Sequence, residues 1–199
     1  QSVTVRVTNA AGCLATSTGI TTTVNPNPIA SITSSDGDNI ICAGTSVTFT
    51  ATPAGATTYN FRVNGVSQQS GASNLYTTSA LTTGQTVDVI VTSAAGCTGT
   101  SAGIVTTVNA NPTPGLTSSD ADNIICAGTN VIFTGSGGTN YEFFVGGVSV
   151  QNGAGTTYAT TTLLNGQSVT VRVTNAAGCL ATSTGITTTV NPNPVAQAI

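Results

Sequence analysis

Five cysteines stand at regularly spaced positions and are the residues of this chain best suited to chemistry. Cys42 and Cys126 each follow two isoleucines, in the sequence IICAG. The sequence AAGC ends at each of the other three, which are Cys13, Cys97 and Cys179. The chain has no CxxC spacing and no histidine, which argues against a structural zinc site. Cysteines at such regular positions instead predict disulfides and an oxidising compartment.

Two acidic loops, SSDGDN and SSDADN, are the next candidates. They place Asp36, Asp38 and Asn39 in one loop and the matching residues in another, which are Asp120, Asp122 and Asn123. Oxygen ligands at alternating positions suit Ca²⁺, so a calcium site at each loop is one hypothesis. A full calcium shell takes six to eight oxygens, and no glutamate follows at a useful spacing. The alternative is an Asx-type turn, in which these side chains cap nearby backbone amides.

The residue inventory argues against catalysis and nucleic-acid binding. The 199 residues include three Lys plus Arg, six Asp plus Glu and no histidine, for a net charge of −3. Serine and threonine abound, but no histidine or lysine is present to act as a base for them. Three arginines cannot form the basic surface that binds phosphate backbones. No cofactor is therefore expected apart from the possible calcium.

Aromatic side chains are the remaining candidates for a binding surface. Most of them occupy alternating positions that favour a core, but Phe144 lies on the face opposite Phe143 and takes the place of Arg62 in the other half of the chain. We therefore predict a possible surface contact at Phe144.

Internal repetition defines the elements that must position these residues. Residues 1–28 recur without a change at 167–194, and a looser repeat relates 29–112 to 113–194. We predict four parts: the C-terminal strands of a preceding repeat at 1–28, complete repeats at 29–112 and 113–194, and the start of a following repeat at 195–199. Short linkers that contain proline are expected to join the repeats end to end.

Alternation of apolar and polar residues predicts that the chain is all-β. In the first repeat we expect strands at 29–34, 46–52, 58–63, 74–79, 85–93 and 101–109, and a further short strand after the Asn64-Gly65 turn. Strands of this number and size predict tandem immunoglobulin-like β-sandwiches. The predicted core is Ile32, Val47, Phe49, Tyr59, Phe61, Tyr76, Leu81, Val87, Val89, Val91, Ile104 and Val108.

Two disulfide pairings fit such a sandwich. The first closes a bond inside each repeat, Cys42 with Cys97 and Cys126 with Cys179, and leaves Cys13 to pair outside the segment or across repeats. These cysteines would lie at opposite ends of two parallel strands, about 20 Å apart, whereas a disulfide needs Cα atoms roughly 4.4–6.8 Å apart. The second pairing joins one repeat to the next and links Cys42 to Cys179. Both pairings stay open at this point.

The motif ICAG-x-x-V-x-F-T, followed by an aromatic strand and by V-x-V-x-V-T-x-A-A-G-C, resembles the Ig-like and PKD-like repeats of Bacteroidota surface proteins. These include the long flavobacterial gliding-motility adhesins and other cargo of the type IX secretion system. The signature W-x-F-G-D-G of the PKD type is absent, and NFRVNG and EFFVGG stand in its place. The resemblance implies an exported, extracellular and non-enzymatic role at a bacterial cell surface.

The sequence thus predicts a structural segment, a stiff disulfide-stabilised stalk of an adhesin or filament. Its expected partners are adjacent repeats of the same chain or identical chains, with no nucleic acid and no membrane insertion by this segment. Two alternatives are a module that binds surface polysaccharide and a filament subunit in which a neighbouring chain completes residues 1–28 by strand addition.

Overall fold

The computed structural model describes residues 1–196, and every regular element in that range is a β-strand. The prediction that the chain is all-β is confirmed. None of the described elements is a helix that could cross a membrane.

Residues 1–28 form two small two-stranded sheets. β1 pairs with β4 and β2 with β3, all antiparallel; their bounds are β1 Ser2–Val3, β2 Arg6–Thr8, β3 Leu14–Thr16 and β4 Ile20–Thr21. Their apolar side chains are exposed, with Val5 at 60% and Ile20 at 71%.

Ten strands follow between residues 31 and 109. They are β5 Ser31–Ser34, β6 Ile40–Cys42, β7 Val47–Thr52, β8 Thr58–Val63, β9 Val66–Gly71, β10 Leu75–Thr78, β11 Thr86–Thr92, β12 Thr98–Thr100, β13 Ile104–Val105 and β14 Thr107–Asn109. One sheet has the order β10-β7-β5, and a second has the order β12-β11-β8-β9, with β13 also paired to β11. β14 lies parallel to β6.

Residues 115–191 repeat this arrangement strand for strand. The strands are β15 Gly115–Ser118, β16 Ile124–Cys126, β17 Val131–Ser136, β18 Asn140–Val145, β19 Val148–Gly153, β20 Thr157–Thr160, β21 Ser168–Thr174, β22 Leu180–Thr182, β23 Ile186–Thr187 and β24 Thr189–Asn191. The sheets have the orders β15-β17-β20 and β19-β18-β21-β22, β23 pairs with β21, and β24 lies parallel to β16.

The described chain divides into two compact units. The first comprises Gln1–Asn39, Ser46–Thr78 and Gly84–Thr106; the second comprises Ile40–Thr45, Ser79–Thr83 and the described residues from Thr107 onwards. Three short segments of the sequence repeat 29–112 therefore belong to the second unit, namely residues 40–45, 79–83 and 107–112.

Each unit has an apolar core formed by alternate residues of facing strands. In the second unit one cluster draws on both sheets, so that unit is a β-sandwich; its buried members are Ile125, Val131, Phe133, Tyr141, Phe143, Leu163, Val169, Val171 and Val173. In the first unit the buried set is Val47, Phe49, Ala51, Tyr59, Phe61, Val87, Val89 and Val91. Of the predicted core, Ile32, Tyr76, Ile104 and Val108 are only half-buried.

One predicted strand is interrupted. The segment 101–109 was expected to be continuous, but it forms β13 and β14, separated at Thr106. β13 continues the sheet of β11, whereas β14 pairs with β6. The chain thus changes partners at Thr106, and the alternation of side chains gives no sign of that change.

The buried hydroxyls at this interruption have no partner among the described residues. Thr106 and its equivalent Thr188 are each 2% exposed, and neither Oγ1 makes a hydrogen bond. The Thr188 backbone is satisfied, because its N–H donates to Gln167 O and its carbonyl accepts from Gly166 N. The hydrogen bonds that hold Thr188 in place are therefore those of its backbone.

Replacing Thr188 with valine is expected to raise the free energy of unfolding by about 1 kcal/mol, because the isosteric methyl removes a buried hydroxyl that has no partner. Urea unfolding followed by circular dichroism measures the change. The control is Thr187→Val at the exposed neighbour, which should shift stability by less than about 0.5 kcal/mol. A loss of stability in Thr188→Val would show that the hydroxyl is engaged.

Candidate functional site

A disulfide joins Cys42 to Cys179, with the two Cα atoms 5.6 Å apart and a sequence separation of 137 residues. It is the pairing that links repeat 29–112 to repeat 113–194, and both cysteines lie in the second compact unit. The pairs Cys42–Cys97 and Cys126–Cys179 do not form. Cys97 and Cys126, which the sequence also assigned to disulfides, are free thiols, as is Cys13. Cys42 and Cys179 bond to each other, so neither is left to pair with a cysteine of its own repeat.

The strand β6 and the linker after β14 hold Cys42. Cys42 lies opposite Asn109 in the parallel pair of β6 with β14. Directly after it, Ala43 N donates to Asn109 O at 2.9 Å, and Asn111 Nδ2 donates to Ala43 O at 3.0 Å. The chain then turns at Gly44, whose φ of 83° favours glycine. The cysteine is thus held by the pairing of β6 with β14 and by the two hydrogen bonds of Ala43.

A tight turn presents Cys179. Asn175 Oδ1 accepts from Ala177 N and from Cys179 N, each at 3.0 Å, and Gly178 at φ 81° closes the turn. Asn175 also reaches outward, because its Nδ2 donates to Ala110 O at 2.9 Å. Cys179 is 1% exposed, and its Sγ lies 3.9 Å from Asn109 O. The side chain that shapes the turn therefore also anchors it to the linker.

Around the disulfide, three parts of the chain meet: a cysteine at the end of an I-I-C strand, a linker that begins with asparagine, and an N-A-A-G-C turn. We call this set the cross-link site. Sequence reasoning left both pairings open and missed the role of the asparagines, since a recurring Asn-Ala-Ala-Gly-Cys is typical of a turn without predicting what the turn touches.

The acidic loops are local turns in the structure. Asp120 Oδ1 and Asp122 Oδ1 both accept from Ile124 N, at 3.2 and 3.0 Å, and Asp120 N donates to Ser118 Oγ. Asn39 and Asn123 take positive φ values of 58° and 57°, which asparagine tolerates better than most residues. Within residues 1–196, no group of three or more His, Cys, Asp or Glu side chains is placed to hold a metal ion. In the second loop the two aspartates thus cap a backbone amide, as in an Asx-type turn, whereas Asn123 Oδ1 makes no hydrogen bond to the described residues.

Adding EDTA is expected to leave the thermal unfolding temperature of the chain unchanged, because the Asp120 and Asp122 carboxylates already accept a backbone amide. Differential scanning calorimetry with EDTA, and again with excess CaCl₂, measures this. A lower unfolding temperature in EDTA that calcium restores would instead establish the calcium site at these loops.

Phe144 lies half-buried beneath an arginine. The Arg172 guanidinium carbon is 5.4 Å from the centre of the Phe144 ring, a cation–π distance. Arg172 also forms an ion pair with Glu142 across neighbouring strands. The Ser149 hydroxyl, which donates to Glu142 at 2.8 Å, and then Arg172 hold the pKa of that carboxyl below its ordinary value. Phe144 thus packs against an arginine that itself forms a cross-strand ion pair with Glu142.

The first unit also has an ion pair between the corresponding strands, β8 and β11, but it lies two residues further along, where the second unit has Phe144 opposite Thr170. Arg62 donates two hydrogen bonds to Asp88, at 2.8 and 2.6 Å. These bonds raise the pKa of Arg62 above its ordinary value. Asp88 and Glu142 each therefore serve as the cross-strand partner of an arginine.

The tyrosines support the cores. The buried Tyr59 donates from its hydroxyl to Pro53 O at 2.8 Å, and Tyr141 donates to Gly138 O at 2.7 Å. Tyr76 and Tyr158 stack on Phe61 and Phe143, with ring centres 5.6 and 5.8 Å apart. These four aromatic rings pack inward rather than forming an exposed stacking surface.

Comparison with known proteins gives structural matches alone. No family model matches the chain, and neither does any curated protein. Among solved structures, the fibronectin(III)-like modules of Clostridium thermocellum CbhA match at 13% identity and a TM-score of 0.46, over 81% of this chain and 94% of that one. Murine CEACAM1b matches at 11% identity and a TM-score of 0.37, over 81% of this chain and 100% of that one. The fold assignment therefore rests on the strands and sheets of the chain itself.

Proposed function

We propose that this chain is a non-enzymatic structural segment of a long extracellular protein, a stiff stalk of tandem Ig-like repeats at a bacterial cell surface. The observation that carries the proposal is the Cys42–Cys179 disulfide, which ties one sequence repeat to the next. Such a bond serves no catalytic step, but it restricts how far two successive repeats can separate.

The disulfide also supports an extracellular location, because disulfides persist in oxidising compartments. The low charge of the chain, 5% of residues, fits a surface that depends little on salt. The resemblance to gliding-motility adhesins suggests export by the type IX system and a role in adhesion. Adjacent repeats of the same chain are then the main partners.

Labelling of intact cells of the source organism tests the location. An antibody raised against residues 29–194 should bind unbroken cells, and brief protease treatment of those cells should remove its epitope while a cytoplasmic marker stays intact. Binding only after lysis would overturn the proposal. The mass of the reduced, denatured antigen, if well above that of a 199-residue chain, would support a continuous array.

A second candidate is a filament subunit that accepts strands from a neighbour. Its support is that identical sequences are buried in one place and exposed in another: Val171 is 0% exposed, whereas Val5, its exact repeat, is 60% exposed. An apolar sheet face of this kind can be covered by strand addition. Reduced, denatured source protein that runs as discrete chains of about 200 residues would favour this candidate over the continuous array.

A further inference from the structure

The cross-link site occurs once in complete form, twice as two of its three parts, and once as the turn alone, at Cys13. The complete site contains Cys42, the linker from Asn109, and the turn that ends at Cys179. Because the sequence repeats, the same three parts must recur elsewhere, and the free thiols Cys126 and Cys97 mark where.

The strand and linker around Cys126 form one half of a cross-link site, and they match the strand and linker around Cys42. Cys126 is opposite Asn191 in the parallel pair of β16 with β24, as Cys42 is opposite Asn109. Ala127 N donates to Asn191 O at 2.9 Å, and Asn193 Nδ2 donates to Ala127 O at 3.0 Å. Both distances equal those of the corresponding bonds beside Cys42. What this half lacks is a turn to supply the second sulfur, and Cys126 is exposed.

The linker and turn around Cys97 form the other half of a cross-link site, and they resemble the linker and turn around Cys179. Its turn is closed by the same backbone bonds, with Gly96 N donating to Ser93 O and Ser93 N donating to Cys97 O, each at 2.9 Å. The Cys97 thiol lies 3.6 Å from Asn25 O, where Cys179 Sγ lies 3.9 Å from Asn109 O. This half lacks an I-I-C strand, and Ser93 stands in the place of Asn175, so it also lacks the side-chain bond that joins Asn175 to the linker.

The two halves belong to the same junction of the repeat pattern. Residues 1–28 are identical to 167–194, so Asn25 is the sequence equivalent of Asn191. A repeat like 113–194 is thus followed by one like 29–112, in the order that residues 1–112 already show. In that order Cys126 comes before the linker and Cys97 after it, just as Cys42 and Cys179 flank Asn109.

We propose that Cys126 forms a disulfide with the Cys97-type cysteine of the repeat that follows it, so that the cross-link recurs at every junction. This inference rests on the proposed serial array. The two thiols lose two electrons and two protons to a disulfide oxidant, such as oxidised glutathione, which is released as two thiols. Every A-G-C cysteine then bonds to the I-I-C cysteine of the repeat before it.

A chain with residues 29–194 duplicated in series tests the proposal. The second copy is inserted directly after Pro194, so that the new junction has the same sequence as Pro28–Ile29, and the purified chain is refolded with reduced and oxidised glutathione. The chain has nine cysteines. The proposal leaves three free thiols after alkylation, whereas five remain if only the two Cys42–Cys179 bonds form.

Peptide mapping under non-reducing conditions identifies the bond. The expected product is a peptide from the first-copy Cys126 joined to one from the second-copy Cys97. The control is Cys126→Ser in the first copy, which should leave four free thiols and keep both Cys42–Cys179 bonds. Five free thiols in a chain whose Cys42–Cys179 bonds show it to be folded, or Cys126 bonded to any other cysteine, would overturn the proposal. Neither result depends on where the source protein is located in the cell.

Discussion

Replacing Cys42 with serine is expected to lower the free energy of unfolding of the second compact unit by roughly 2–5 kcal/mol. The disulfide closes a loop of 137 residues, and a loop of that length removes much of the conformational freedom of the unfolded chain. Urea unfolding under non-reducing conditions, followed by far-UV circular dichroism, measures the loss.

The matched control is Cys126→Ser, which changes an exposed free thiol at the same position of the next repeat. Its stability should stay within about 0.5 kcal/mol of the parent chain. A reducing agent should destabilise the parent chain and Cys126→Ser alike, and should have no effect on Cys42→Ser. Equal stability of Cys42→Ser and the parent chain in oxidising buffer would contradict a stabilising role for the bond.

Truncating Phe143 to alanine is expected to cost about 3–5 kcal/mol, because the ring is fully buried and its loss leaves a cavity in the core of the second unit. Phe144, its neighbour on the opposite face, provides the comparison. Phe144→Ala should cost less than about 1 kcal/mol, since it removes mainly the contact with Arg172.

Both variants are compared with the parent chain by urea unfolding at fixed pH and under non-reducing conditions. Phe61→Ala in the first unit, where the ring is also fully buried, should match Phe143→Ala in magnitude. Similar losses for Phe143→Ala and Phe144→Ala would mean that the two faces of β18 are equally buried in solution, which would contradict the sandwich.

The sequence predicts the long strands well and the short ones poorly. β7, β8 and β11 have six or seven alternating residues with one buried face, so periodicity alone places Phe49, Phe61 and Val89 in the core. β6 and β12 have three residues each, too few for a periodic signal, and sequence analysis missed both. β6 carries Cys42, so the strand that positions one cysteine of the cross-link site was not predicted.

The choice between disulfide pairings shows a second limit. Strand geometry argued that two cysteines of one repeat would lie too far apart and named Cys42–Cys179 as the alternative, but it did not settle which of the two pairings forms. That depends on the hydrogen bonds of the linker, such as Asn175 Nδ2 to Ala110 O and Asn111 Nδ2 to Ala43 O. Such contacts between a side chain and a distant carbonyl leave no pattern in the sequence.

The position of the Cys42–Cys179 bond determines which residues would carry tension if the chain were pulled from its two ends. Force would enter the bond at one cysteine and leave at the other, so the residues between them would be shielded until the bond is reduced. With 137 residues in that loop, reduction followed by unfolding would release at most roughly 450–490 Å of additional length. The redox state of the surroundings would then determine how far a pulled segment can extend.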